Sequence, residues 1–282
     1  MSQPFEMSLS YGVLRGLEFF PGNSEKALMV HGWLDNAASF SRLAPLLTGH
    51  HVIAVDLPGH GHSDHRAPGG PYHLVDYIPI LIELLDRLEF SRVSLIGHSL
   101  GAGICSLIAA VCPERVSRLV LIDGLGPMSD GAETATDRLR RSVKRHALLR
   151  NKRQPVYGSI AAATQARLAV TRMREVSARL IVQRNMKPIE GGYTWRTDRR
   201  VTLASPVYLV EDQVQQLLRD VECETMLIRA EHGVVNRLST SNGRIECYAT
   251  LTIRNLVGDH HLHLDDPEPV ADCIVDFLSA GQ

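Results

Sequence analysis

The chain has 282 residues, 44% apolar and 22% charged, enough for one large domain with a substantial core or two small ones, and unlike a disordered or fibrous sequence. Its 30 Lys and Arg residues nearly balance its 31 Asp and Glu residues, and the net charge of −1 excludes a general attraction to nucleic acid or anionic membrane. No run approaches 18 apolar residues, so no transmembrane helix is predicted. At the N-terminus, "MSQPFEMSLSYG" has neither a basic n-region nor an apolar h-region, and no secretory signal is expected. "FEMSLSYGVLRGLEFFPG" alternates enough to supply one or two antiparallel edge strands. Short Val-, Ile- and Leu-rich runs follow, bounded by turn residues: "ALMVHG" (27–32), "HVIAVDLPG" (51–59), "VSLIGHS" (93–99), "RLVLIDG" (118–124), "TMLIRAE" (225–231) and "ATLTIRN" (249–255). They read as buried parallel strands. Helical spacing marks 72–88, a segment after Ser99 that Pro113 stops, and 267–281, which opens on Pro-Glu and closes on Gly281. Strands alternating with helices predict an α/β domain with a mostly parallel central sheet flanked by helices.

The alternation breaks between 127 and 205, which read as two or three helices without strands. We expect an inserted helical cap there, with 1–126 and 206–282 forming the core domain. The basic run Arg138, Arg140, Arg141, Lys144, Arg145, Arg150, Lys152 and Arg153 lacks interleaved aromatics and reads as a solvated face of the cap. Five scattered cysteines, Cys105, Cys112, Cys223, Cys247 and Cys273, include no C-x-x-C pair. They read as reduced buried thiols of a cytoplasmic protein, not as metal ligands.

Gly97-His98-Ser99-Leu100-Gly101 is G-x-S-x-G placed directly after a strand pattern and directly before a helix pattern. A sharp strand-to-helix turn projects the central hydroxyl at the end of the sheet, and the helix behind it points free N–H groups at the same place. A serine hydroxyl needs a base. Of 13 histidines, His31, His60, His62 and His146 have structural readings, and His98 is expected to turn from the serine toward the core. "GDHHLHLDDPEPV", between the last strand and the last helix, remains as the source of the base.

With "VHGWLDNAASF", "DLPGHGHSD", "LIGHSLGAG", "LVLIDGLGP" and "GDHHLHLDDPEPV" in that order over residues 30–270, the chain resembles the α/β-hydrolase superfamily. It is most similar to serine-hydrolase-like proteins and to lidded esterase and haloalkane-dehalogenase-like enzymes. The resemblance implies His260 as base, because the family histidine stands about seven residues before the Pro-Glu of the last helix; His261 and His263 are its nearest competitors. It also implies an oxyanion hole made by the backbone N–H groups of Trp33 and Leu100. The Trp33 indole is expected to line an acyl pocket. The usual acid of a G-E-x-D pattern is missing, since "RAEHGVV" places Gly233 at its position. Three carboxylates stay open. Asp123, before Pro127, matches the acid of haloalkane-dehalogenase-like relatives and is favoured; Glu231 is the alternative; Asp259 is poorly placed beside His260.

The resemblance therefore implies a serine hydrolase that cleaves a small carboxylic ester or related acyl compound through an acyl-enzyme, with no cofactor and no metal. A perhydrolase or C–C hydrolase, or a non-catalytic ligand-binding protein on the same fold, is the rival reading. Dehalogenase and epoxide-hydrolase chemistry is disfavoured because those enzymes use a carboxylate nucleophile. The expected partner is a small apolar ester-like substrate, not nucleic acid or membrane, and a homodimer stays open.

Overall fold

In the computed structural model, which describes residues 2–151 and 153–280, the chain begins with a hairpin of β1 (Gln3–Leu9) and β2 (Gly12–Phe19). β3 (Glu25–Val30) and β4 (His50–Asp56) follow, then α1 (Tyr77–Arg87), β5 (Val93–His98), α2 (Leu100–Val111) and β6 (Val116–Ile122). Next come α3 (Ala135–Asn151), α4 (Ile160–Leu168), α5 (Glu175–Asn185), β7 (Met186–Ile189) and β8 (Gly192–Trp195). The chain then returns to the main sheet through α6 (Glu211–Arg219), β9 (Glu224–Ala230), α7 (Ser241–Ile245), β10 (Leu251–Leu256), α8 (Leu262–Asp265) and α9 (Pro267–Ser279). Gly281, expected to end the last helix, and Lys152 of the basic run lie outside the described residues, as does the side chain of Arg150.

The main sheet has eight strands in the order β1-β2-β4-β3-β5-β6-β9-β10. β1 and β2 are the antiparallel edge, and every pair from β4 to β10 is parallel. The continuous apolar runs follow from burial on both faces. Leu28, Val30, Leu95 and Leu121 pack toward α1, α2 and α6, while Ala27, Met29, Ile96 and Ile122 pack toward α9 and the 3-10 turn Ala37–Phe40. Leucine and isoleucine side chains buried in this way contribute about 1.5–3 kcal/mol each by leaving water.

The stretch 127–205 was expected to be free of strands, and here the structure corrects the sequence reading. β7 and β8 pair as an antiparallel hairpin, and Tyr157 bridges to Tyr193. Gly191 and Gly192, at φ 82° and 141°, make the tight turn. The hairpin closes a small core of its own, with Ala163, Val182 and Met186 packed against Tyr157, Ile160, Tyr193 and Trp195. On α3, Arg140, Arg141, Lys144 and Arg145 are exposed, whereas Arg138 is buried and pairs with Asp130 at 2.9 Å. No helix among the described residues is long and apolar enough to cross a membrane, and the five cysteines are unpaired.

Polar contacts tie the stretch 127–205 to the carboxyl end of the main sheet. Asp56, fully buried at the end of β4, receives the Arg184 guanidinium of α5 at 2.8 Å and the backbone N–H groups of Ala37 and His62. Beside it, His31 donates from Nδ1 to the Gly32 carbonyl, because its Nε2 already accepts from the Leu57 N–H at 3.0 Å. The His60 ring stands edge-on to His31, 5.0 Å away, and is fully buried.

Burial, reinforced by neighbouring His31, pushes the His60 imidazole down to about 3, so it folds as the neutral base. An unfolded histidine titrates near 6.5, so between these values the unfolded chain holds a proton that the folded one lacks. The stability contribution of His60 is complete above pH 6.5 and is lost as pH falls toward 3. This site alone is expected to cost about 2 kcal/mol by pH 5. Urea midpoints measured from pH 7.5 to 5 should fall steeply for the wild type and less steeply for His60→Asn; equal slopes would refute the assignment.

Candidate active site

Three strand ends and one loop build the site. β5 ends at His98, α2 starts at Leu100, and Ser99 between them sits at φ 53°, ψ −112°. A non-glycine residue there is strained by about 1–3 kcal/mol, and the surroundings must enforce it. They do so through close backbone packing. A Cβ on Gly97 would lie 2.4 Å from the Gly101 carbonyl oxygen, and one on Gly101 would overlap the Val30 carbonyl oxygen. Only glycine permits those approaches. The Ser99 N–H donates to the Ile122 carbonyl at 3.1 Å, which extends the β5–β6 ladder one step beyond the strand. Ser99 itself is partly exposed.

Asp123 repeats this arrangement on the next strand. It follows β6 at φ 41°, its N–H donates to the Ile228 carbonyl at 2.8 Å, and it is fully buried. Its Oδ2 accepts from the Val234 N–H at 2.8 Å and from His260 Nδ1 at 2.6 Å. His260, on the loop between β10 and α8, reaches Ser99 Oγ with Nε2 at 3.0 Å. A carboxylate only accepts, so His260 carries its proton on Nδ1 and its Nε2 is free to accept the Ser99 proton.

Gly233 explains why the usual acid position is empty of a carboxylate. A Cβ there would overlap both Asp123 carboxylate oxygens. The Asp123 carboxylate fills the volume that a side chain at 233 would need. Glu231 is exposed, and no hydrogen bond joins its side chain to the site. Asp259 faces Arg172 at 3.5 Å.

The Trp33 N–H has no backbone acceptor among the described residues, and Leu100 is the first residue of α2, whose N–H has no intrahelical partner. The Trp33 side chain differs from expectation. Its Nε1 donates to the Val201 carbonyl at 3.0 Å and the residue is 53% exposed. Leu34, not Trp33, lines an apolar cavity of 320 Å³ whose other walls come from residues 149–202.

Behind His260 lies a buried group that the sequence reading did not assemble. His98, fully buried, donates from Nε2 to the His260 carbonyl at 2.9 Å, and its ring packs 4.6 Å from the His260 ring. Burial, and then the neighbouring His263, His260 and His261 rings, hold His98 well below the ordinary histidine range, so it is neutral. Asp35 accepts from His261 Nε2 at 3.1 Å and from the Arg167 guanidinium at 2.6 Å. Burial opposes its ionisation, but His261 and Arg167 outweigh this and hold the carboxyl well below its usual range. Asp35, His98 and His261 offer ligand atoms within 4.8 Å of one another and are the described residues nearest to a metal-ligand set. Arg167 already balances the one carboxylate of that set, and a dication would add charge to a sealed site. The signal for this group was a lone acid in the turn "HGWLDN" and a lone arginine in the Ala-rich helix "IAAATQARL".

The model of the family described as "alpha/beta hydrolase fold" matches residues 28–176. A serine hydrolase-like protein of Danio rerio is 30% identical over 97% of this chain and 87% of its own length. Serine hydrolase-like protein 2 of Homo sapiens is 28% identical over 89% of this chain and 86% of its own. Among solved structures, a hypothetical protein from Pseudomonas aeruginosa PAO1 is 40% identical, covers 98% of this chain with 99% of its own, and superposes with a TM-score of 0.93.

The exclusion between Asp123 and a side chain at 233 can be measured without any substrate. Gly233→Ala should displace the carboxylate and abolish the downfield NMR proton of the His260 Nδ1–H to Asp123 bond. Pairing Asp123→Gly with Gly233→Asp should bring a downfield proton back. Persistence of the signal in Gly233→Ala would contradict the overlap.

Proposed function

Because the chain belongs to the α/β-hydrolase fold family, we propose that it is a serine hydrolase acting on a small carboxylic ester or related acyl compound through an acyl-enzyme. The observation that carries this reading is the unbroken line Ser99 Oγ, His260 Nε2, His260 Nδ1, Asp123 Oδ2, with contacts of 3.0 and 2.6 Å. In this reading His260 takes the Ser99 proton as Oγ attacks the carbonyl carbon, and Asp123 steadies the resulting imidazolium. The N–H groups of Trp33 and Leu100 receive the negative charge that develops on the carbonyl oxygen, an effect worth about 3–4 kcal/mol per donor in comparable sites. His260 returns the proton to the leaving group. Water, activated by the same histidine, then releases the acid and restores Ser99.

An apolar acyl or alkyl group is supported by a 320 Å³ cavity that meets the oxyanion loop at Leu34 and is otherwise walled by residues of 149–202, among them Val170, Ile181, Val182 and Trp195. Its size is at the lower end for small-molecule sites. The division into a core domain and a cap over 127–205 belongs to the same proposal. It is supported by the hairpin and helices α4 and α5, which carry a small core separate from the main one.

A fluorophosphonate probe should label the wild type and leave Ser99→Ala unlabelled. On a generic aryl ester, Asp123→Asn should lose about 10³- to 10⁴-fold in kcat by presenting the wrong partner to His260 Nδ1. Glu231→Gln should stay within about twofold, as expected for an exposed side chain away from the reacting atoms. Equal labelling of Ser99→Ala, or the opposite ranking of the two acid variants, would sink this assignment.

A further inference from the structure

One buried carboxylate touches all three segments that the proposed reaction must align. Asp35 stands two residues after Trp33 and is 1% exposed. Its Oδ1 takes Arg167 Nη2 at 2.6 Å, and the same guanidinium reaches back through Nη1 to the Leu34 carbonyl at 3.2 Å. The oxyanion loop is thus gripped at its backbone and at its side chain by one group. The other oxygen, Oδ2, takes His261 Nε2 at 3.1 Å, on the residue next to His260. It also faces His98 Nδ1 at 3.6 Å, while His98 Nε2 holds the His260 carbonyl. His98 is in turn the residue before Ser99. The cation that balances this carboxylate comes from α4 in the cap, not from the core.

We propose that Arg167 is a positioning residue: acting through Asp35, it lets the seated cap hold the oxyanion loop, the Ser99 turn and the His260 loop in their reactive register. The proposal rests on Ser99 and His260 being the reacting pair. The physical reason is charge balance. A carboxylate this deeply buried stays ionised only beside a cation. Without Arg167, Asp35 must take a proton or draw one onto His98 or His261. A protonated Asp35 loses its hold on His261. A His98 or His261 that takes the proton becomes the only countercharge of Asp35 and is drawn onto it, which moves the His260 loop that both rings contact. Either way the base loses its register, whereas a purely structural role for Arg167 would change stability and leave the His260 geometry of the folded protein intact. Two further contacts, Trp33 Nε1 to the Val201 carbonyl and Asn36 Nδ2 to the Ile181 carbonyl, fasten the same loop to the cap without charge.

The test compares wild type, Arg167→Ala, Arg167→Lys and Asp35→Asn, with Arg179→Ala as an exposed control on α5. Folding is checked by circular dichroism. Two readouts are taken: the second-order rate of fluorophosphonate inactivation, and the downfield proton of His260 Nδ1, assigned by its absence in His260→Gln. Arg167→Ala should be inactivated about a hundredfold more slowly, the scale expected for a small misplacement of reacting groups. It should also lose the downfield proton. Guanidinium chloride at a sub-denaturing concentration should restore both, and Arg167→Lys should restore part. Retention of both readouts within twofold in folded Arg167→Ala overturns the proposal, and so does a loss that guanidinium does not reverse. If Arg167→Ala does not fold, Asp35→Asn carries the same two expectations and the same refutation. If the wild type is not inactivated at all while the His260 proton still depends on Arg167, the hydrolase reading fails and the positioning role stands.

Discussion

Two neighbouring strands end in backbone conformations that their residues disfavour, and the site depends on that pair of turns. Ser99 and Asp123 have φ of 53° and 41°, and each continues the ladder to the next strand by one N–H bond, to Ile122 and to Ile228. The parallel register of β5, β6 and β9 therefore sets how far apart the hydroxyl and the carboxylate stand. His260 only has to span a gap that the sheet has already defined. The strain is tolerable because central strands buried on both faces cannot relax at their ends without losing packing.

The charged groups at this end of the molecule follow a consistent rule. Two deeply buried acids, Asp35 and Asp56, stand at the carboxyl end of the sheet, and each meets an arginine from the helices of 127–205, Arg167 and Arg184. Neither pair is a strong argument for stability, since removing two charges from water costs about as much as their attraction returns. They act better as locating pins. An arginine has only one low-energy place to put its guanidinium when the alternative is an unpaired carboxylate in the interior. Uncharged contacts at Trp33 and Asn36 share the same interface and fix its orientation.

The main sheet was legible because burial on both faces writes a strand as an uninterrupted Val, Ile and Leu run, as in "HVIAVD" and "VSLIGH". The serine turn was legible because its glycines answer backbone contacts within the same short segment. The hairpin of β7 and β8 was not, since β7 contains Pro188 and both strands are only four residues long, with one buried residue each. Gly191-Gly192 between two short runs was the signal that would have revealed it. His98 turns into the core as expected, but Asp35, Arg167 and the bond from His98 to the His260 carbonyl were missed for a different reason. Their partners lie far away in the chain, and no local spacing announces a bond between a cap helix and an early turn. Asp123 came from a resemblance, because the chain alone offered three carboxylates and no means of choosing by distance.

Gly233 has a consequence for the order in which such a site can change. A carboxylate placed at 233 while Asp123 is present meets occupied space, and a chain that loses Asp123 first leaves its histidine without a partner. With Asp123 as the acid proposed for His260, each single replacement passes through a damaged intermediate, so the two positions are expected to show sign epistasis and the acid to move between strands only by a paired change. A bare glycine where an acid is usual is then informative in its own right. Here it goes with a carboxylate one strand over, whose oxygens fill the space that a side chain at 233 would take.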